Sequence, residues 1–97
     1  MPPIIETQGL TKWYGKSRGI VGVDLIVERE QDILAIEIKY ARKVDPKDLS
    51  GLTVFQGLAT KKVVPILVYR GDQIQKRGDV RILPYTAFLN GLLDESL

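Results

Sequence analysis

Glu37 and Lys39 stand two residues apart in the run Ile33-Leu34-Ala35-Ile36-Glu37-Ile38-Lys39-Tyr40. In an extended strand, side chains alternate between faces. The two charges therefore share one face with Ile33 and Ala35. Leu34, Ile36, Ile38 and Tyr40 share the other, which is the expected core face. A third charge, Asp24, interrupts the apolar run Val21-Gly22-Val23-Asp24-Leu25-Ile26-Val27. Aspartate is poorly suited to a strand interior. A hairpin turning near Glu30-Gln31 sets position 24 opposite positions 37 to 39, so Asp24, Glu37 and Lys39 are expected to converge. Two carboxylates form a site for a hard cation such as magnesium. Such an ion lowers the pKa of a bound water and offsets charge at phosphorus. Lys39 would position or deprotonate the attacking water, or stabilise transition-state charge. The same Glu-x-Lys pattern also suits a cross-strand ion pair on a solvated face, and spacing does not separate the two.

Composition narrows the chemistry. The 97 residues contain no histidine and no cysteine. Ser-His-Asp catalysis, a thiolate nucleophile, and His- or Cys-bound zinc are excluded. A general base must be a carboxylate, a lysine, a tyrosine or a metal-bound water. The length bounds a single domain, residues 1–97, with one modest core. Apolar residues at 44% and charged residues at 27% indicate a globular chain. The net charge of +2 permits nucleic-acid binding without demanding it.

The elements that must position these residues follow from local pattern. Residues 1–9, with Pro2, Pro3 and Gly9, read as an extended arm or a short edge strand. Residues 10–14 suit a strand, 15–19 a turn, 20–28 a strand, 29–32 a tight connection and 33–40 its hairpin partner. Asp45-Pro46 followed by Asp48 is a helix-start signal, with Leu49, Leu52 and Phe55 at helical spacing and Gly57 near the end. The continuous run Val63-Val64-Pro65-Ile66-Leu67-Val68-Tyr69 suits a strand buried on both faces, with Pro65 near an edge or a strand start. Residues 73–77 form a short strand or loop and 80–83 a short strand. Residues 85–93 form a terminal helix whose Phe88, Leu89, Leu92 and Leu93 are expected to face inward. The strand–helix–strand passage over residues 33–69 predicts a parallel crossover pair in a mixed sheet.

Val23-Asp24-Leu25-Ile26-Val27 followed by Ile36-Glu37-Ile38-Lys39 resembles the PD-(D/E)XK nuclease superfamily, with Val23 where the proline of the motif usually stands. The likeness extends to a C-terminal domain of unknown function carried by prokaryotic AAA-type ATPases. It is carried by Val23-Asp24-Leu25, Ala35-Ile36-Glu37-Ile38-Lys39, Asp45-Pro46-Lys47-Asp48-Leu49 and Ile82-Leu83-Pro84-Tyr85-Thr86-Ala87-Phe88-Leu89. The resemblance implies an α/β, restriction-endonuclease-like mixed sheet flanked by helices, a hairpin followed by a βαβ crossover. It implies magnesium or manganese held by Asp24, Glu37 and the Ile38 carbonyl, with Lys39 as the catalytic lysine. Phosphodiester hydrolysis on DNA is the implied activity; a non-catalytic module of the same fold, or a fragment working with an ATPase partner, is the alternative. Some relatives add a helix glutamine followed four residues later by tyrosine. Gln56 has Thr60 at that place, so partial burial with a backbone partner is expected instead. The first helix of the superfamily is reduced or missing here. That leaves one sheet face for a partner to cover, and a homodimer is expected.

Arg42, Lys43 and Lys47 follow the candidate strand and are expected to contact nucleic-acid phosphates without reading sequence. Trp13 and Tyr14 are expected to pack on an edge strand, with base stacking the other use of such residues. Residues 5–15 with Gly22-Val23-Asp24-Leu25 also resemble the N-terminal strand pair of an ABC-transporter ATPase. No GxxxxGK[ST] loop is present to cradle phosphates, so ATP hydrolysis is not expected. No apolar run approaches bilayer length. The opening Met1-Pro2-Pro3 lacks the layout of a secretion signal, so a cytoplasmic protein is expected.

Overall fold

A computed structural model of the chain describes residues 6–7, 11–14 and 23–97, with side chains described from residue 23 onward. Its described residues form an open mixed sheet in the order β1-β2-β3-β4-β5-β7-β6. β1 (Glu6–Thr7), β2 (Thr11–Tyr14), β3 (Leu25–Glu28) and β4 (Asp32–Ile38) pair antiparallel in sequence order. A 3-10 turn (Pro46–Leu49) and helix α1 (Ser50–Leu58) then carry the chain to β5 (Lys62–Tyr69), which lies parallel to β4. β7 (Val80–Pro84) lies parallel to β5, β6 (Gln75–Arg77) flanks β7 antiparallel, and α2 (Tyr85–Leu93) follows. The expected hairpin, crossover and terminal helix are therefore present. Trp13 and Tyr14 lie on β2, but their side chains fall outside the described set, as do the expected turn at residues 15–19 and residues 20–22 of the expected strand 20–28.

The two faces of the central strands are covered by different helices, so the bare sheet face expected for a partner is not found on them. Val23, Ala35, Leu52, Val63, Leu67 and Ile82 gather on the α1 face. Val27, Leu34, Ile36, Ile66, Val68 and Phe88 gather on the α2 face. β5 alternates between the two clusters, which is why it reads as an unbroken apolar run. Burying each large aliphatic side chain contributes about 1.5–3 kcal/mol.

Two expectations about inward faces are corrected. Tyr40, placed on the core face by alternation, is 82% exposed because β4 ends at Ile38 and the chain turns away. Leu89 and Leu93 on α2 are 50% and 84% exposed, while Phe88 and Gly91 are buried and Leu92 packs beside them. One sheet face can accept only a narrow stripe of a nine-residue helix. Pro65 sits as expected. β5 pairs with β4 throughout, but β7 joins it only from Ile66 onward, so the missing N–H of Pro65 falls at a local edge. At the β6–β7 hairpin, Arg77 pairs with Val80 across a two-residue loop, and Gly78 supplies the positive φ of 57°.

Candidate active site

The centre of the candidate site is the end of β4, where β3 leaves the ladder. Leu25 pairs with Ile36, so a regular ladder would set Asp24 opposite Glu37. Instead the Asp24 N–H donates to the Ile36 carbonyl at 3.0 Å. The Asp24 Oδ2 atom then accepts a hydrogen bond from the Ile38 N–H at 2.8 Å. The carboxylate occupies the place of a strand carbonyl and extends the edge by one residue. The local slip also puts Val23 and Leu25 against opposite clusters, although residues two apart normally share a face. Asp24 is thus half-buried and tied to the middle residue of Glu37-Ile38-Lys39. On the other edge of β4, the Lys39 N–H donates to the Val68 carbonyl at 2.8 Å.

Glu37 and Lys39 point to the α1 face and line a pocket of about 470 Å³ with Ile38, Lys47, Asp48 and Ser50. Asp24 is not among its lining residues. The structure therefore brings Glu37, Ile38, Lys39 and Lys47 into one hollow and sets Asp24 at the adjoining strand edge. Arg42 and Lys43 are exposed on the loop leaving β4 and line neither this hollow nor the one beside Tyr40 and Tyr69. Gln56 is half-buried, but its partner is the Asp79 carboxylate at 3.4 Å rather than backbone, and it lines a different hollow with Lys61 and Lys62.

Sequence reasoning missed the role of Asp48 here. Lys39 Nζ forms an ion pair with Asp48 Oδ2 and lies 3.9 Å from Asp45 Oδ2. The same Asp48 oxygen accepts the Asp45 N–H at 2.7 Å, closing the start of the 3-10 turn. The Asp45-Pro46-Lys47-Asp48 helix-start signal was visible. Its reach back to Lys39 depends on the path of the intervening loop, which spacing does not give. The Lys39 ammonium, followed by the Asp45 N–H, holds the Asp48 carboxyl below its ordinary pKa. At the β3–β4 turn, Arg29 grips Asp32 with both prongs, Nε to Oδ1 at 2.5 Å and Nη2 to Oδ2 at 2.6 Å. The Arg29 guanidinium holds the Asp32 carboxyl low as well.

Both aspartates bind fewer protons in the folded chain than in the unfolded one. Their stabilisation is present above the unfolded carboxylate pKa of about 4 and is lost as pH falls through the depressed folded values. Thermal melts from pH 7 downward are expected to show a loss of stability below about pH 4. The Asp32→Asn, Asp48→Asn double variant should melt lower at pH 7 yet lose less on acidification. An acid limb parallel to that of the unaltered chain would refute this.

In chemical type the donor set is one that a hard divalent ion takes, although the Asp24 carboxylate is turned to the Ile38 N–H and not into the hollow that Glu37 lines. The Asp24 and Glu37 carboxylates and the Ile38 carbonyl are all oxygen donors, and magnesium is commonly held by one or two carboxylates plus water. The Ile38 N–H points to the edge where Asp24 sits, and in an antiparallel ladder the C=O of the same residue points that way too. Among the described residues there is no group of three or more Asp, Glu, His or Cys able to hold a metal. Among the described residues no helix is long and apolar enough to cross a membrane.

No curated protein and no solved structure matches the chain. A family model does match, over residues 6–88, and its description is a domain of unknown function, DUF4143. The match takes in β1 through the first half of α2, and so includes Asp24, Glu37 and Lys39. It agrees with the resemblance to a domain of unknown function associated with AAA-type ATPases. On the strength of a match covering most of its length, the chain belongs to the DUF4143 family.

Proposed function

We propose that the chain carries out metal-dependent phosphodiester hydrolysis on DNA, on a restriction-endonuclease-like fold of the PD-(D/E)XK type. The observation that carries this reading is the 2.8 Å hydrogen bond from the Ile38 N–H to Asp24, which ties the acid of one strand to the middle of Glu-x-Lys on the next. Asp24, Glu37 and the Ile38 carbonyl would hold magnesium or manganese. The bound ion would supply an acidified water and neutralise charge on the phosphate. Lys39 faces the same hollow as Glu37, where its ammonium would hold the developing charge of the phosphate once it exchanges Asp48 for that anion. Lys47 lines the hollow too, and Arg42 and Lys43 stand exposed nearby on the loop, suited to contacts with flanking phosphates. Leu89 and Leu93 leave an apolar strip on α2 that supports a homodimer, and family membership supports an ATPase partner.

A second reading has an observation in its favour. Lys39 is already neutralised by Asp48, as befits a non-catalytic interaction or regulatory module in which the charges fasten β4 to the 3-10 turn. The two readings part in a cleavage assay. Supercoiled and branched DNA are incubated with the purified chain and magnesium or manganese, with chelator, and with the Asp24→Ala variant. Nicking by the unaltered chain with metal, and none in the other two arms, is expected. Equal background cleavage in every arm would remove the hydrolytic reading and leave the module.

A further inference from the structure

A second pocket, of about 330 Å³, adjoins the candidate site and shares Ile38 and Lys39 with it. Tyr40, Tyr69, Arg70 and Tyr85 supply most of the rest of its wall. It lies at the carboxyl ends of the parallel strands β4 and β5. From β4 the chain leaves to α1 on one face, and from β7 it leaves to α2 on the other. In parallel sheets, ligands characteristically bind beyond the carboxyl ends of the strands.

The wall is built of fixed and free aromatics. Tyr69 is buried, and its hydroxyl donates to the Gln73 carbonyl at 2.6 Å and accepts from Gln75 Nε2 at 3.2 Å. The Arg70 N–H donates to the Ala41 carbonyl at 3.0 Å, so the segments leaving β4 and β5 stay abreast. Tyr40 and Tyr85 are 82% and 54% exposed. Three of the four tyrosines of the chain thus surround one hollow. Its charged lining residues are Lys39 and Arg70, and none is acidic.

A flat ring joined to an anion suits both features. Aromatic faces stack on a base, and the two cations favour the phosphate attached to it. A peptide strand would need an open sheet edge, but β4 and β5 are paired to each other here. A base inside a duplex is already stacked and must first be extruded. We propose that this pocket receives an unpaired nucleobase, so that the substrate is nucleic acid with a single-stranded segment beside the scissile phosphate. The inference rests on reading the neighbouring hollow as a phosphodiester site.

The test reads binding, not cleavage. Fluorescence anisotropy is measured with the full chain in chelator, using a labelled single-stranded oligothymidylate of about 12 nucleotides. An abasic strand of equal charge and a duplex of equal length are the comparisons. The unaltered chain should bind the thymidine strand about five- to hundredfold more tightly than the abasic one. Tyr40→Ala and Tyr85→Ala should each erase most of that preference, and Tyr40→Phe should keep it. Equal binding of the thymidine and abasic strands by the unaltered chain would overturn the inference, and that arm needs no variant to fold. So would full preference in both alanine variants. A chain that prefers bases but never nicks DNA keeps the base pocket and loses the hydrolytic reading, and with it the scissile phosphate. One that nicks DNA without base preference does the reverse.

Discussion

Lys39→Ala is expected to lower metal-dependent DNA cleavage by about a hundred- to a thousandfold, the usual effect of removing one preorganised charge from a developing anion. The ammonium belongs to a half-buried side chain, 22% exposed, so water only partly replaces it. Lys39→Arg should not restore the rate. A planar, wider guanidinium cannot sit as a point charge between Asp48 and a phosphate oxygen. Asp48→Asn should act in the opposite direction or leave the rate unchanged. It keeps an oxygen for the Asp45 N–H but releases Lys39 from a competing carboxylate. The non-catalytic reading expects something else from the same variants. Melts of Lys39→Ala, Asp48→Asn and the double variant should then show strong coupling in stability, with cleavage absent throughout. Cleavage by Lys39→Ala within about threefold of the unaltered rate would end the assignment of Lys39 as a catalytic residue.

The parts legible in the sequence are those that local physics decides. Asp45-Pro46 announces the 3-10 turn and α1, the apolar run before Arg70 announces a doubly covered strand, and Pro65 falls where a donor is not needed. The parallel β4–β5 pair follows from the helix between them. What was not legible depends on where strands stop. Alternation alone assigns Tyr40 to the core, but the strand ends two residues earlier and Tyr40 becomes an exposed wall of a pocket. The same limit applies at Asp24. The spacing brings it level with positions 37 to 39, but only the slip in the ladder shows its carboxylate turned to the Ile38 N–H rather than into the hollow beside Glu37. Asp48 reads as a first-turn acid, and its second use as the counter-ion of Lys39 is a property of the fold.

That dependence of the site on α1 gives the second large effect. Leu52→Ala is expected to destabilise the chain by about 2–5 kcal/mol, as removing a buried leucine from a packed core does. Leu52 is fully buried and is the one buried residue of α1. The helix has little of its own to stand on. It spans nine residues, Ser50–Leu58, with Gly51, Thr53, Val54 and Gly57 among them. Isolated helices shorter than about 12–15 residues are marginal in water even from better formers. Its order therefore comes from docking Leu52, with Leu49 and Phe55 beside it, onto Ala35, Leu67 and Ile82. Undocking α1 would also loosen the wall of the hollow that Lys47, Asp48 and Ser50 provide. Ile66→Ala empties a comparable volume on the opposite face, in the cluster that α2 covers. Both variants should lose stability in denaturant unfolding. Hydrogen exchange at equal distance from the unfolding midpoint should then single out Leu52→Ala by early loss of protection in residues 46–58, with Ile66→Ala showing it no more than the unaltered chain. A loss under about 1 kcal/mol for Leu52→Ala, or uniform exchange in both variants, would mean that the 3-10 turn and the Lys39–Asp48 pair, not the leucine, hold α1 to the sheet.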